Sequence, residues 1–400
     1  MKIYECIKSE DERIIRLFGF TIVKQTSDYM TTARYQDFLG GTIKTVKINQ
    51  YEKDSFIKDI SIFGKTLIQR TEANNYKTYS LFGKPFFKIS LIDQFKKSYF
   101  SHFAPNHDHI YILRANAGET YLTLTYLLNS LIKKNNSKNP LLVATKKYHI
   151  DMIKMICPEI PYTYIKKMKF KIVGDDFEID NFKFFFLFSN AHFRQVEDDI
   201  KKHALGQSHY FDSILNRLGL KSDDIKMRKI ADISGYEQSM LEKIGKTGLN
   251  LDKFVFIAPE AQSCKLYDEE FWVALINKLQ QIGYDIYVNL TNDAIKLKGA
   301  TGFKLCDLNF GESFALAKRA QKIVSLRSGF TEFLLQTNTP IDVLYTKFRN
   351  RHIFNDMDTY HVMSGFGLST IPYVDMSKIQ EFNMFETSSI DCLNKIINTL

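Results

Sequence analysis

Three short segments of the chain place charged or hydroxyl side chains directly after an apolar run and before a helical pattern. In the first, ANAGETYLTL, Ala117 and Gly118 form a tight turn and Glu119 opens a helix. A carboxylate at such a turn can take a proton from an incoming hydroxyl, as a general base does. It can equally complement the positive end of the helix dipole. From the residues alone, both interpretations of Glu119 stay open.

The second segment, EAQSCKLYDEE, follows the apolar run KFVFIAP and precedes another helix. A lysine between the end of a strand and the start of a helix can pair with a phosphate, while the helix supplies free N–H groups. Lys265 is the candidate cation and Ser263 a candidate hydroxyl donor. Because lysines are common on protein surfaces, an ordinary solvated Lys265 is the alternative.

In the third segment, SLRSGFTEFLL, a strand-like run ends at Arg327, Ser328 and Gly329, and a helix begins. A guanidinium, a hydroxyl and a glycine N–H converge there on a space the size of an anion. The alternative for Arg327 is a salt bridge with Glu332. Anion binding and a simple ion pair are both open.

Metal-ligating side chains form no persuasive pattern. His102, His107 and His109 crowd the stretch HFAPNHDHIYI, but their spacing fits neither a helix nor a zinc knuckle, which favours a polar loop ahead of a strand. The five cysteines are scattered without close pairs, which argues against a disulfide framework and a zinc site. No convincing Asp-x-Asp metal site occurs, so the sequence predicts chemistry without a metal or other cofactor.

Composition narrows the class of protein. With 400 residues, 44% hydrophobic and 25% charged, the chain is typical of soluble proteins of two or three domains. No apolar run approaches the roughly 18 residues of a membrane span, and the N-terminus lacks the pattern of an export signal, so we expect a cytoplasmic protein. The net charge of +9 suits a polyanionic partner. DNA- and RNA-binding signatures are not visible, which disfavours nucleic acid.

Strands and helices alternate in the part of the chain that holds the three segments. From about residue 105 the pattern reads strand, helix, strand, and it restarts near residue 253 after a charged connection at 221–252. This alternation predicts an α/β fold with two doubly wound, Rossmann-like domains, at 96–245 and 246–400. Ligands bind such folds at the carboxyl ends of the strands, so we expect the three segments to face a shared cleft.

Residues 1–95 carry a different signal. Four phrases, IRLFGFTIVKQ, QDFLGGTIKTVK, ISIFGKTLIQR and YSLFGKPFFKIS, each run an apolar pair into a glycine, at Gly19, Gly40, Gly64 and Gly83. Glycine permits the positive φ of a tight turn, so each phrase predicts a small hairpin. Repetition lets neighbouring hairpins share an apolar face, which predicts one basic β-hairpin module.

The three segments occur in the order found in the heptosyltransferase-type bacterial glycosyltransferases that extend lipopolysaccharide cores, and the chain resembles that family over about residues 108–345. The family reads Gly-Asp-x-Leu-x-Thr-Leu-Pro after its first strand, where this chain reads GETYLTLT from Gly118. It next has a Pro-Gly-Ala-Ser-like turn, a basic residue that touches the donor phosphates and an aromatic residue, where this chain has PEAQ, Lys265 and Tyr267. Its last motif, Asp-Thr/Ser-Gly-x-x-His, corresponds to RSGFTE, so Arg327 replaces an acid and Glu332 a histidine.

The resemblance implies the two-domain arrangement called GT-B, with Glu119 in the place of the catalytic aspartate. It implies a nucleotide-sugar donor bound by Ser263, Lys265, Arg327, Ser328, Gly329 and Glu332. Asn116 and Gly118 then lie on the acceptor side, next to the catalytic carboxylate.

The predicted function is transfer of a sugar from a nucleotide-sugar donor to a glycan, lipid-linked glycan or protein in bacterial surface glycan synthesis, without a metal. Enzymes of this kind work at the inner face of the cytoplasmic membrane, so residues 1–95 are predicted to contact an anionic membrane surface or the glycan, or to form an oligomer. The alternatives are a non-catalytic glycan-binding or assembly protein and a nucleotide-sugar epimerase. The residues do not distinguish the sugar, the acceptor or the stereochemical outcome.

Overall fold

The structure is a computed structural model of the 400-residue chain. It describes all residues except 1–3, 9–11, 18–19, 29–32, 39–40, 51–52, 63–64, 74–75, 167, 169–175, 180–181, 188–201, 203–207, 263, 291–294 and 348–361. For the strand residues before Ile68 it gives the course of the backbone. One compact unit comprises residues 1–106 with 168–180, and another comprises 107–167 with 181–400.

The first unit is built on a nine-stranded sheet in which every strand pairs antiparallel with the next. Its strands are β1 (Tyr4–Lys8), β2 (Glu12–Leu17), β3 (Phe20–Asp28), β4 (Ala33–Phe38), β5 (Gly41–Gln50), β6 (Lys53–Ile62), β7 (Lys65–Ala73), β8 (Tyr76–Leu81) and β9 (Lys84–Ser90). Helix α1 (Leu91–Tyr99) follows, and the Ser90 side chain caps it by accepting from Asp93 N at 3.0 Å.

The four hairpins predicted from the repeated phrases are present. Strand ends pair across two-residue connections, as Leu17 with Phe20 and Leu81 with Lys84. The turn glycines Gly19, Gly40 and Gly64 lie outside the described residues. Phe82 and Gly83 have φ of 48° and 77°, the two left-handed residues that a tight hairpin turn requires. The hairpin module is therefore one continuous meander.

The first half of the second unit is a parallel sheet wrapped by helices. Its elements are β10 (His109–Leu113), α2 (Ala117–Leu122), α3 (Leu128–Lys134), β11 (Pro140–Ala144), α4 (Lys147–Ile156), β12 (Tyr162–Tyr164), β14 (Phe182–Leu187), α5 (Tyr210–Leu218) and α6 (Ser234–Ile244). Strand β13 (Asp176–Ile179) falls within the residues of the first unit. The parallel strands lie in the order β12, β11, β10, β14. Between α2 and α3, residues Thr123–Leu127 form a wide turn of π-helix.

The second half repeats this plan. Its elements are β15 (Phe254–Ala258), α7 (Glu269–Gln281), β16 (Asp285–Val288), α8 (Phe310–Ala317), β17 (Lys322–Leu326), α9 (Gly329–Leu334), β18 (Ile341–Tyr345), α10 (Val362–Phe366), β19 (Ile379–Asn383) and α11 (Ser389–Asn398). All five strands are parallel, in the order β16, β15, β17, β18, β19. The predicted α/β class, with two doubly wound sheets after a hairpin module, is confirmed.

The central strands are buried along their whole length, which explains their continuous apolar sequences. Two charges inside the second sheet satisfy each other, since Lys322 Nζ lies 2.8 Å from Asp342 Oδ2 and both side chains are almost completely buried. None of the helices within the described residues has the length and apolar character that a membrane crossing requires.

The charged stretch 221–252, expected to be a connection, contains helix α6. Its Met240 and Ile244 are buried in the core, while Lys243 Nζ donates to Glu312 Oε2 at 2.6 Å. Because the many charged residues of this stretch separate its buried apolar positions, the sequence pattern resembles a linker.

Candidate functional site

The site forms where the starts of helices α2 and α9 meet. Gly118 and Gly329 pack backbone to backbone, since a Cβ added at Gly118 would lie 2.9 Å from Gly329 Cα, and one added at Gly329 would lie 2.8 Å from Gly118 Cα. Real Cβ atoms essentially never approach other atoms so closely, so only glycine fits at either position. The contact joins the helix after the first strand of one half to the helix after β17 of the other.

Glu119 lies next to this contact and is partly buried. Burial raises the pKa of its carboxyl, and the nearby charge of Glu332 raises it further. A hydrogen bond from the Tyr210 hydroxyl and the charge of Lys146 act in the opposite direction. Glu119 is thus a partly buried carboxyl group with a raised pKa, which makes it a stronger base than an ordinary glutamate.

Three side chains hold the turn that precedes Glu119. Lys146 Nζ donates to Ala115 O at 2.9 Å and to Asn116 Oδ1 at 3.3 Å, and the Tyr148 hydroxyl donates to Ala115 O at 3.2 Å. His149 Nε2 lies 3.2 Å from the same carbonyl, and its Nδ1 accepts from Thr145 N. The neutral tautomer with a proton on Nε2 satisfies both bonds, and burial lowers the pKa of His149 to about 4. His149 is therefore a positioning residue here and carries no charge.

Arg327 and Glu332 form a buried ion pair across the first turn of α9, through Arg327 Nη2 and Glu332 Oε1. The guanidinium also donates to Phe366 O at 3.1 Å and to Ser328 O at 2.8 Å. Glu332 Oε2 is buried and has no hydrogen-bond partner among the described residues. The salt-bridge interpretation of Arg327 is thus observed, in a buried form. The second carboxylate oxygen, Glu332 Oε2, is packed against Gly118, since a Cβ added there would lie 2.3 Å from it.

Ser328 caps helix α9. Its Oγ accepts from Thr331 N at 3.3 Å, and Thr331 Oγ1 accepts from Ser328 N at 3.2 Å, which completes a capping box. The hydroxyl predicted to contact a donor is therefore already engaged in ordering the turn that carries Arg327 and Gly329.

In the segment around Lys265, the residue that interacts electrostatically with Arg327 is Cys264. Cys264 is buried, and burial raises the pKa of its thiol to about 11 while the charge of Arg327 acts to lower it. Lys265 itself is exposed, its backbone N donates to Lys347 O at 2.6 Å, and its carbonyl accepts from the Thr346 hydroxyl. Ser263 lies outside the described residues.

The structure thus brings Gly118, Glu119, Arg327, Gly329 and Glu332 together, with Ser328 holding the turn of α9. Asn116 stands at the N-cap position of α2, where its Oδ1 accepts from Lys146. Lys265 follows Cys264, whose thiol feels the charge of Arg327. Among the described residues, Lys265 forms no hydrogen bond or ion pair with Glu119 or Glu332. Whether these residues act as predicted in binding and catalysis stays a prediction.

Sequence reasoning missed Lys146 and Tyr210. Lys146 follows β11 in the segment ATKK, at the carboxyl end of a strand beside β10, so strand order alone carried a signal for it. Tyr210 lies at the start of α5, far along the chain from Glu119, and only the fold brings the two together.

The arrangement brings a candidate base and a buried ion pair to one place. Glu119 can receive a proton, and the charge of Lys146 acts on its carboxyl group. Lys265 is an exposed cation that follows Cys264 in the sequence. No group of three or more His, Cys, Asp or Glu side chains suited to a metal ion occurs in the part of the chain that the structure describes.

No protein-family model matches the chain, and no curated protein sequence matches it. Among solved structures, the chain is similar to the glycosyl transferase family 9 protein from Veillonella parvula DSM 2008, with 12% identity and a TM-score of 0.45 over 73% of this chain and 91% of that one. It is similar to the iron-containing dodecameric glycosyltransferase TibC from enterotoxigenic E. coli H10407, with 13% identity and a TM-score of 0.42 over 86% and 82%.

A third similar structure is the E. coli ADP-heptose LPS heptosyltransferase II, with 11% identity and a TM-score of 0.39 over 73% of this chain and 98% of that one. The names of these proteins agree with the family that the sequence motifs resemble. At this level of likeness the function has to be argued from the residues of the site.

Proposed function

We propose that this protein is a glycosyltransferase that moves a sugar from a nucleotide-sugar donor to a hydroxyl group of a glycan, lipid-linked glycan or protein. The observation that carries the proposal is the contact of Gly118 with Gly329, because it sets the acid of one half beside the Arg327 to Glu332 turn of the other. Ligands of doubly wound folds bind at such strand ends.

In the proposed reaction, Glu119 takes the proton of the acceptor hydroxyl as that oxygen bonds to the anomeric carbon of the donor sugar. An alcohol has a pKa far above neutral, so an adjacent base with a raised pKa gives a larger driving force for proton transfer. The bond from the anomeric carbon to the diphosphate oxygen breaks, and the nucleoside diphosphate leaves with the additional negative charge.

The leaving diphosphate needs positive charge. Arg327 is neutralised by Glu332, so we assign exposed Lys265 to the diphosphate as its cation, and we assign the Gly329 N–H to it as a donor. We assign Glu332 to the donor side through its ion pair with Arg327, which orients the turn that carries Gly329. These groups supply the charge stabilisation themselves, so we propose that transfer needs no metal, and chelator treatment should leave the rate unchanged.

We propose that the reaction takes place in the cytoplasm and contributes to the synthesis of a bacterial surface glycan. Peripheral contact with the inner face of the cytoplasmic membrane is part of this proposal. A non-catalytic glycan-binding protein is the second candidate, favoured by the buried Arg327–Glu332 pair, which leaves the guanidinium without spare charge for a diphosphate.

The test is release of nucleoside diphosphate from a panel of nucleotide sugars, with and without glycan acceptors. Wild-type protein should release the diphosphate, and Glu119→Gln should lower the rate by about 100-fold or more. Glu270→Gln, at an exposed position on α7, is the matched control and should keep the full rate.

A panel that neither reacts nor raises the melting temperature of the protein would overturn the proposal, because a bound ligand stabilises the native state. Glycan binding without diphosphate release would favour the second candidate. Interconversion of the donor sugar in the absence of an acceptor would indicate an epimerase instead.

A further inference from the structure

The hairpin of β8 and β9 exposes a group of apolar side chains at one end of the sheet. Phe82, in the turn, is 71% exposed, Phe86 is 64% exposed, Phe87 is 53% exposed and Leu81 is 42% exposed. Isolated exposed apolar residues are common on proteins, but a contiguous group of large ones marks a contact surface. We call residues 81–87 the hairpin tip.

The surroundings of the hairpin tip are basic. Residues 76–92 contain Lys77, Lys84 and Lys88 and no acidic residue. Lys88 Nζ lies 3.8 Å from the centre of the Tyr76 ring, which is a cation–π contact, and both residues are exposed. Apolar groups flanked by lysines complement a surface that has negative head groups over an apolar interior.

The topology places related connections at the same end. In a meander of antiparallel strands the ends of alternate strand pairs lie together, so the paired strand ends of β2 and β3, β4 and β5, β6 and β7, and β8 and β9 share one end of the sheet. In the sequence, FG, LG, FG and FG follow β2, β4, β6 and β8, whereas SED, YMTT, YE and NN follow β1, β3, β5 and β7. Only the last of the four, Phe82 and Gly83, lies among the described residues. The sequence thus gives one end an apolar character and the other a polar one.

The outer strand of this hairpin is poorly suited to pairing with another strand. Pro85 lacks a backbone N–H, and Lys84 and Lys88 flank the exposed aromatics. Tyr79 pairs with Phe87 and Ser80 with Pro85, so Phe86 is the extra residue of a β-bulge. A bulge twists an edge away from flat strand addition, which disfavours growth of the sheet through a second copy of the chain.

We propose that the hairpin tip inserts Phe82, Phe86 and Phe87 into the boundary between head groups and acyl chains of an anionic membrane, while Lys84 and Lys88 bind the head groups. The surface has no role in the proposed transfer reaction, and vesicle binding is measured without donor or acceptor. Failure of this inference and failure of the proposed function are therefore separate outcomes.

The decisive experiment uses the full chain with Phe82→Trp. The wild-type protein has a single tryptophan, Trp272, which is completely buried and should report no change when lipid is added. The new tryptophan should shift its emission to the blue with vesicles of phosphatidylglycerol and phosphatidylcholine, and brominated acyl chains should quench it. Vesicles of phosphatidylcholine alone should produce a much weaker shift, because they lack the negative head groups.

Co-sedimentation with the same vesicles tests the energetics. Phe86→Ser with Phe87→Ser should weaken binding about tenfold or more, since each removes an apolar side chain from the membrane boundary. Lys84→Glu with Lys88→Glu should abolish the preference for anionic lipid. Ile390→Ser on α11, which removes an equally exposed apolar side chain elsewhere, is the matched control and should bind as wild type does.

Far-ultraviolet circular dichroism and melting curves establish that the variants are folded. The inference is overturned if wild-type protein does not sediment with anionic vesicles, or if the Phe82→Trp variant sediments with them while the emission of its introduced tryptophan stays unchanged. It is also overturned if the serine variants dissociate an oligomer in sedimentation velocity while vesicle binding is absent, because the tip would then bind a second copy of the chain.

Discussion

Gly118 and Gly329 belong to different halves of the second unit, and their backbones are in contact. A Cβ on either residue would meet backbone atoms of the other. Backbone cannot move aside as the end of a flexible side chain can, so the two glycines fix how closely the starts of α2 and α9 approach. Glu119 and Glu332 influence each other electrostatically because of this closeness.

Gly118→Ala and Gly329→Ala should each lower the free energy of unfolding by about 1–3 kcal/mol, because the methyl group overpacks a backbone contact. Urea titration followed by circular dichroism measures the change. Gly235→Ala is the control, since nothing lies within 4 Å of a Cβ built there. It sits near the start of α6 and should be neutral or stabilising. Equal behaviour of all three variants would show that the glycine contact does not constrain the fold.

Arg327→Met should lower the free energy of unfolding by about 3–5 kcal/mol, because it leaves the Glu332 carboxylate buried without its partner. The double variant Arg327→Met with Glu332→Leu removes both charges and should regain most of that loss. Urea titrations of the two single variants and the double variant give the coupling energy. Additive losses would contradict the ion pair as the source of the effect.

Glu119→Gln should stabilise the protein at neutral pH. The folded state holds the pKa of Glu119 above its ordinary value, so the stability associated with its protonated form is full at pH values below the ordinary pKa and is lost as the pH rises through the raised one. Glutamine has no such titration. The difference in melting temperature between the variant and wild type should therefore be small at acidic pH and grow as pH increases. A difference that is independent of pH would contradict the raised pKa.

Tyr210→Phe should move the acidic limb of the pH–rate profile to higher pH. The Tyr210 hydroxyl stabilises the ionised form of Glu119, so its removal raises the pKa of the proposed base further. The measurement is kcat/KM against pH with the donor that the panel identifies. Tyr284→Phe loses a hydroxyl that contacts Leu400 O and should keep the wild-type profile. An unchanged limb in Tyr210→Phe would remove Glu119 from the role of base.

Many strands and helices could be predicted from the sequence because they depend on the local spacing of apolar residues. The run KIVSL and the helix over DEEFWVALINKLQQIG follow from apolar spacing, and Gly83 follows from the turn that it must adopt. Each of the three segments also follows a strand, as predicted: β10, β15 and β17.

The partners of those segments were not predictable in the same way. From the sequence, Arg327 could either bind an anion or pair with Glu332. In the folded protein the two residues form a buried ion pair. Tyr210 reaches Glu119 from 91 residues away along the chain, and no spacing rule links the two. Contacts of this kind depend on how whole helices are placed, which local periodicity does not encode.

The π turn at Thr123–Leu127 has a consequence for the direction in which Glu119 points. A π turn adds one residue to the regular repeat, and Thr125 O accepts from Arg228 N at 2.8 Å. Deleting one residue there would restore an ordinary helix and rotate everything before it by about 100° relative to everything after it. The extra residue therefore determines how the Glu119 carboxylate is oriented around the helix axis relative to helix α3, although it lies after Glu119 in the chain.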